Sequence, residues 1–181
     1  MRITGGEWRG RPLIAPAGTA TRPTSDKVRQ ALFNLLGPQI ANAALLDLFA
    51  GTGAIGLEAL SRGAARAVAV ESSPPALSTL RKNSDSLGAA LEIISLPAER
   101  ALKSFAVKGE SFDIVFLDPP YRHDAGPLLP LLTPLLNPGA TVILEDAVRD
   151  PVPGSAWGDP LERRYGDTRL LLWRGVGATS S

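Results

Sequence analysis

The chain has 181 residues, 44% of them hydrophobic, and a formal net charge of only +1. That is enough for one domain with a sizeable core, and no apolar run reaches membrane-spanning length. There is no cysteine, which excludes disulfides, thiolate zinc sites, iron–sulfur clusters and the thiol nucleophile that carbon-5 methylation of pyrimidines generally uses.

The first thirty residues carry an uneven share of the charge. Arg2, Arg9, Arg11, Arg22, Lys27 and Arg29 stand against Glu7 and Asp26, a balance of +4, so the remainder sums to −3. Residues 1–13 read as a short β-hairpin around Gly5-Gly6, with Trp8 among the cations. Such a segment suits a phosphate-binding arm, and these six cations are the candidate RNA contacts; the alternative is a solvated arm with Trp8 packed on the core. Residues 15–24 are a Pro/Thr/Gly-rich connection, and the main domain is taken to run from 25 to 174, with a polar tail over 175–181. Ser25 is placed to cap a helix reaching about Leu36, with Val28, Leu32 and Leu35 at helical spacing.

Strands and helices then alternate. Strands are expected near 45–50, 67–71, 91–95, 112–117 and 140–145, and helices near 54–62, 75–87, 98–107 and 125–136. Alternation of this kind predicts a mostly parallel sheet with helices on both faces, an α/β fold of Rossmann-like type. The segments 161–165 and 169–173 flank Gly166-Asp167 and predict an antiparallel hairpin at the sheet edge.

Three strand ends carry chemistry. The first strand contains Asp47 and runs through Phe49 and Ala50 into Gly51-Thr52-Gly53, a turn where backbone can approach a ligand and helix amides can face it. The second strand ends at Glu71-Ser72, twenty residues after Gly51, so that Glu71 can accept two hydrogen bonds from ribose hydroxyls. The spacing also fits the dinucleotide fingerprint of nicotinamide enzymes. The fourth strand ends in Asp118-Pro119-Pro120-Tyr121. Two prolines lock φ and remove two donors, leaving a rigid rim with one carboxylate, exposed carbonyls and one aromatic ring. That set suits an exocyclic amine on a flat nucleobase. After the third strand stands Pro97, which has no side-chain acceptor; the Ala98 N–H is a candidate backbone donor, and Glu99 reads equally as a first-turn helix acid. His123, the only histidine, reads as an exposed loop residue.

Asp47-x-Phe-Ala-Gly-Thr-Gly53 resembles the first motif of class I S-adenosylmethionine-dependent methyltransferases, and Asp118-Pro-Pro-Tyr121 resembles their amino-methylating fourth motif. Residues 1–13, Arg22-Pro-Thr-Ser-Asp-Lys-Val-Arg-Gln-Ala-Leu-Phe-Asn34 and Arg164-Tyr-Gly-Asp-Thr-Arg-Leu170 are similar to segments of the bacterial small-subunit (16S) ribosomal RNA guanine-N2 methyltransferases. The resemblance keeps order and spacing from Met1 to about Arg174. It implies a methyl transfer from S-adenosylmethionine to the N2 amine of a guanine in ribosomal RNA, within the small subunit. A cytoplasmic monomer needing no metal is expected. The cofactor would be held by Asp47, Phe49, Ala50, Gly51, Thr52, Gly53, Glu71, Ser72, Ala98 and Asp118, and the base by Asp118, Pro119, Pro120 and Tyr121. A DNA adenine-N6 methyltransferase shares the Asp-Pro-Pro-Tyr logic, but the chain shows no obvious target-recognition domain. A nucleotide- or RNA-binding module without catalysis is opposed by the intact Asp118 and Tyr121.

Overall fold

A computed structural model describes residues 1–15, 25–120 and 124–177. Arg22, Tyr121 and His123, singled out above, lie outside the described residues.

Seven strands form one sheet. In chain order the elements are α1 (Asp26–Leu36), β1 (Ala44–Leu48), α2 (Ala54–Ser61), β2 (Arg66–Val70), α3 (Pro74–Leu87), β3 (Glu92–Ile94), α4 (Ala98–Lys108), β4 (Phe112–Leu117), the single turn α5 (Leu129–Leu132), β5 (Leu136–Ala147), β6 (Leu161–Tyr165) and β7 (Thr168–Val176). The sheet order is β3-β2-β1-β4-β5-β7-β6. The first five strands run parallel, and β7 and β6 close the edge as an antiparallel hairpin across Gly166-Asp167. No helix among the described residues is long and apolar enough to cross a membrane.

Strand alternation sorts the core. Leu46, Leu48, Val68, Val70, Val115, Leu117, Val142 and Leu144 face α4 and α5, whereas Leu45, Ile114, Phe116 and Ile143 face α1 and α2. Both faces are apolar, as a sheet covered on both sides requires. Helix α1 begins where its cap predicts, with the Ser25 hydroxyl accepting from the Val28 N–H at 3.2 Å.

Three expectations are amended. The helix expected over 125–136 shrinks to one α-turn between two short 3-10 turns, because Pro127, Pro130 and Pro134 each remove a helix donor. Strand β5 begins earlier, at Leu136, with a register shift opposite Phe112 and Ile114, and β7 runs on to Val176 beside Ala140. The amino-terminal hairpin is an antiparallel loop with a single bridge, Arg2 to Pro12, and ladder bonds from Ile3 N–H to the Arg11 carbonyl (3.0 Å) and Leu13 N–H to the Met1 carbonyl (2.9 Å).

That loop is docked rather than free. Ile3 and Leu13 are buried with Ala54, Leu57, Ala67 and Leu80, and Trp8 packs against the same cluster. Gly6 sits at φ 78°, and a Cβ there would lie 1.8 Å from the Ser61 carbonyl oxygen, so only glycine permits the approach. Below it lies a buried charge network. Glu58 accepts from Arg29 Nε (2.7 Å), Arg62 Nη2 (2.7 Å), and the N–H and hydroxyl of Thr4, and Arg29 also donates to the Arg2 carbonyl and to Asp26 (2.8 Å). Arg29 therefore leaves the set of candidate RNA contacts. Its side chain is fully buried, and its charge is matched by Glu58 inside the protein.

Candidate functional site

The parallel strands stop in one row. Leu48 pairs in register with Val70 on one side and Leu117 on the other. The next residues, Glu71, Phe49 and Asp118, therefore emerge side by side at the carboxyl edge, where open α/β sheets bind ligands. With neighbouring strands about 4.8 Å apart, the Glu71 and Asp118 backbones stand roughly 10 Å from each other. The Asp118 N–H reaches the Leu48 carbonyl at 3.4 Å and the Ala50 N–H reaches the Val70 carbonyl at 2.9 Å, so each strand exit is tied to its neighbour.

The glycine loop leaves this row under strain. Phe49 holds φ 64°, a left-handed conformation that an aromatic L-residue rarely adopts. Gly53, at φ 79°, caps α2, and a Cβ there would press to 3.0 Å on Leu80. The Leu57 N–H bonds the Gly53 carbonyl at 2.9 Å and opens the helix directly behind the loop.

Glu71 holds the loop in place. One carboxylate oxygen accepts the Gly51 N–H at 2.8 Å; the other accepts the N–H groups of Ser72 and Ser73, both at 2.8 Å. A carboxylate offers about four acceptor positions. Three are used here, so roughly one remains for a ligand hydroxyl, fewer than the pair expected from the sequence.

Asp47 works from beneath. It is buried in β1 under the loop, with Oδ2 unpartnered among the described residues. Burial pushes its carboxyl up to about 8, the Gly56 N–H pulls it down in part, and the Glu71 charge pushes it up again. Asp47 thus reaches the first turn of α2, through the Gly56 N–H, from inside β1. Ala98 opens α4 with Pro97 as its cap residue, and its backbone is in the first helical turn, where N–H groups lack intrahelical partners. Glu99 is in an exposed ion pair with Lys103 at 2.6 Å, whose ammonium holds the Glu99 carboxyl below its usual range. It is a surface helix acid.

Asn83 was not legible as a site residue. Fully buried in α3, it accepts the Ile14 N–H at 2.7 Å and donates to the Ile14 carbonyl at 3.1 Å and the Thr52 carbonyl at 3.0 Å. One side chain thereby joins the amino-terminal segment to the glycine loop. The signal was its spacing: Asn83 falls three residues after Leu80 and six after Leu77, on the inward face. The remaining cations Arg2, Arg9, Arg11 and Lys27 are exposed, with Arg11 resting on the Ser86 carbonyl at 2.9 Å. An open depression of about 330 Å³, lined by Gln39, Asn42, Asp113 and Gly139, is at the opposite edge of the sheet. Asp113 there is committed to the Ala44 N–H and the Asn137 amide, each at 2.8 Å. Those bonds tie strand starts together, so that depression is structural rather than the site.

A glycine loop after β1, an acid after β2 and Asp-Pro-Pro after β4 on this sheet define the arrangement of class I methyltransferases. The chain belongs to the family described as conserved hypothetical protein 95, which matches residues 1–174. It is 46% identical over 124 residues to ribosomal RNA small subunit methyltransferase D of Escherichia coli, an alignment covering 68% of this chain and 61% of that protein. Over 125 residues it is 43% identical to the protein YlbH of Bacillus subtilis, covering 68% of each. The chain thus spans about two thirds of these relatives' length in sequence. The solved structure of yhhF from Escherichia coli superposes with a TM-score of 0.84 at 36% identity, covering 99% of both chains.

The Asp47 carboxyl should make stability fall with pH. The unfolded chain releases this proton near 3.8, whereas the folded chain keeps it to about 8. Stability from this group is complete below 3.8 and is lost as pH rises through 8. Asp47→Asn retains an acceptor for the Gly56 N–H and removes the titration. Its melting temperature relative to wild type should rise steadily between pH 4 and pH 8; a difference independent of pH would show that Asp47 is ionised in the fold.

Proposed function

We propose that this chain methylates the exocyclic N2 amine of a guanine in 16S ribosomal RNA, using S-adenosylmethionine, within the small ribosomal subunit in the cytoplasm. The observation that carries the reading is the register row that sets Glu71, the glycine loop and Asp118-Pro119-Pro120 side by side at one sheet edge. Similarity to small-subunit rRNA methyltransferases supports it.

The residues present suit the cofactor. The first turn of α2 offers N–H groups directly behind the glycine loop, and the remaining acceptor position on Glu71 suits a ribose hydroxyl. When bound, S-adenosylmethionine supplies an electrophilic methyl group on a sulfonium centre.

The protein's task is to present the amine. The lone pair of a guanine N2 is delocalised into the ring and is a poor nucleophile. The Asp118 carboxylate and the Pro119 carbonyl accept the two amine hydrogens, which favours a pyramidal nitrogen with its lone pair turned out of the ring plane. Pro119 and Pro120 hold these acceptors rigidly, and Tyr121 stacks on the base. Asp118 is not required to be a strong base, since the nitrogen turns acidic on methylation before it gives up its proton. Much of the rate then comes from alignment and fixed dipoles. The base must leave its stack to enter, by flipping or because the RNA is unpaired.

Incubation with radiolabelled S-adenosylmethionine and either small ribosomal subunits or duplex DNA tests the reading; label is expected in 16S RNA as N2-methylguanine, and label in DNA adenine would overturn it. Under single-turnover conditions Asp118→Ala should cost about a hundredfold or more, by analogy with the loss of one oxyanion donor. Asp118→Asn keeps an acceptor oxygen and should retain part of the activity. A near wild-type rate for Asp118→Ala would sink the mechanism.

RNA is engaged through the exposed Arg2, Arg9, Arg11 and Lys27, with Arg22 flanking them in sequence. Each lost phosphate contact should reduce the slope of log affinity against log salt by roughly 0.7 to 0.9. Replacing Arg9 and Arg11 together with Ala should flatten that slope and raise the KM for RNA, leaving S-adenosylmethionine affinity unchanged in calorimetry. Intact RNA binding with weakened cofactor binding would show that the docked segment serves the cofactor instead.

A further inference from the structure

Strand β5 outlasts its parallel neighbours. β1, β2 and β4 stop at Leu48, Val70 and Leu117. The register partner of Leu117 is Leu144, and β5 continues past it through Glu145 and Asp146 to Ala147, paired there with β7. The Asp118 N–H carries the β4 ladder one step further, onto the Leu48 carbonyl. Glu145 therefore lies one strand across from Asp118, a backbone spacing of about 4.8 Å.

Alternation sets their faces. Phe116 and Ile143 lie in one core with Leu170 and Leu172, and Leu117 and Leu144 lie in the other. Two residues on from Phe116 and Ile143, Asp118 and Glu145 share a face. Glu145 is half-buried, with Leu170 as its cross-strand partner. Asp146 turns the other way and is held by Arg169 through bonds of 2.7 and 3.1 Å.

We propose that Glu145 selects guanine, its carboxylate accepting the ring N1–H while Asp118 and Pro119 hold the adjacent N2 amine. The inference rests on the guanine-N2 reading and extends it to specificity. Guanine presents N1–H and N2–H as neighbouring donors, which two adjacent carboxylates can accept together. Adenine presents an N1 lone pair beside its amine, and a carboxylate facing that lone pair is repelled. A site built to hydrogen-bond a substrate N–H rejects analogues that lack it far more strongly than a merely apolar pocket can.

2-Aminopurine separates the two acids. It keeps the amine at carbon 2 and has no hydrogen on N1. A 16S RNA fragment spanning the mapped target, ligated with guanine or 2-aminopurine at that nucleotide and assembled with subunit proteins, gives the two substrates. Wild type should methylate the 2-aminopurine form slower by roughly tenfold to a hundredfold, as loss of a hydrogen bond to a charged group implies. Glu145→Ala should slow guanine by a similar factor and leave 2-aminopurine no slower than in wild type, since it also removes the carboxylate that faces the N1 lone pair, so that the preference disappears. Glu145→Gln keeps an acceptor oxygen, should retain part of the preference, and controls for folding by its melting temperature. Equal slowing of both substrates by Glu145→Ala, in folded protein, overturns the assignment and leaves the guanine-N2 reading standing. Failure of wild type to methylate the guanine substrate at N2 overturns that reading itself.

Discussion

The contact on which the rest depends is the grip of the Glu71 carboxylate on three backbone N–H groups. Gly51 belongs to the turn after β1, and Ser72 and Ser73 to the approach to α3. Without an acceptor between them, these donors would face one another around a loop already strained at Phe49. Hydrogen bonds to a charged group are each worth roughly 1.5–3 kcal/mol, and they are directional. One side chain thus fixes the loop and keeps the acid at the crevice, which makes the site preorganised rather than assembled on binding.

Two further contacts bring the amino-terminal segment into this frame. The Arg29–Glu58 pair is fully buried, and Glu58 also accepts from Thr4. Breaking such a pair from one side strands a charge in the interior, which costs about 3–5 kcal/mol. Asn83 adds a neutral joint between Ile14 and Thr52. The basic surface carrying Arg9 and Arg11 is therefore held at a fixed place relative to the glycine loop. A substrate bound by its phosphates on one would meet the other without a hinge.

The parallel core was legible because its strands are short apolar runs bounded by glycine, proline and caps, and both faces are buried. The juxtaposition of the candidate residues was legible where a motif sits at a strand end, as at Gly51, Glu71 and Asp118, since topology brings such ends together. Other features had no local signature. The loss of the 125–136 helix follows from three prolines spaced closely enough that only one α-turn survives among them. Arg29 looked like one more surface cation; its burial is decided by Glu58, twenty-nine residues away. Glu145 closes the strand expected over 140–145, but its place beside Asp118 depends on the β4–β5 register, a long-range pairing. The bond from the Gly56 amide to Asp47, and the burial that raises its carboxyl, had no local signature either.

The central claim, that Glu71 builds a cofactor site at this sheet edge, is tested most directly by titration calorimetry of S-adenosylmethionine into wild type and Glu71→Gln. Gln keeps the size and one acceptor, but sets an amide N–H against one of the loop donors. If melting confirms that the variant is folded, the account predicts affinity weaker by about tenfold or more. Unchanged affinity in folded Glu71→Gln would contradict it.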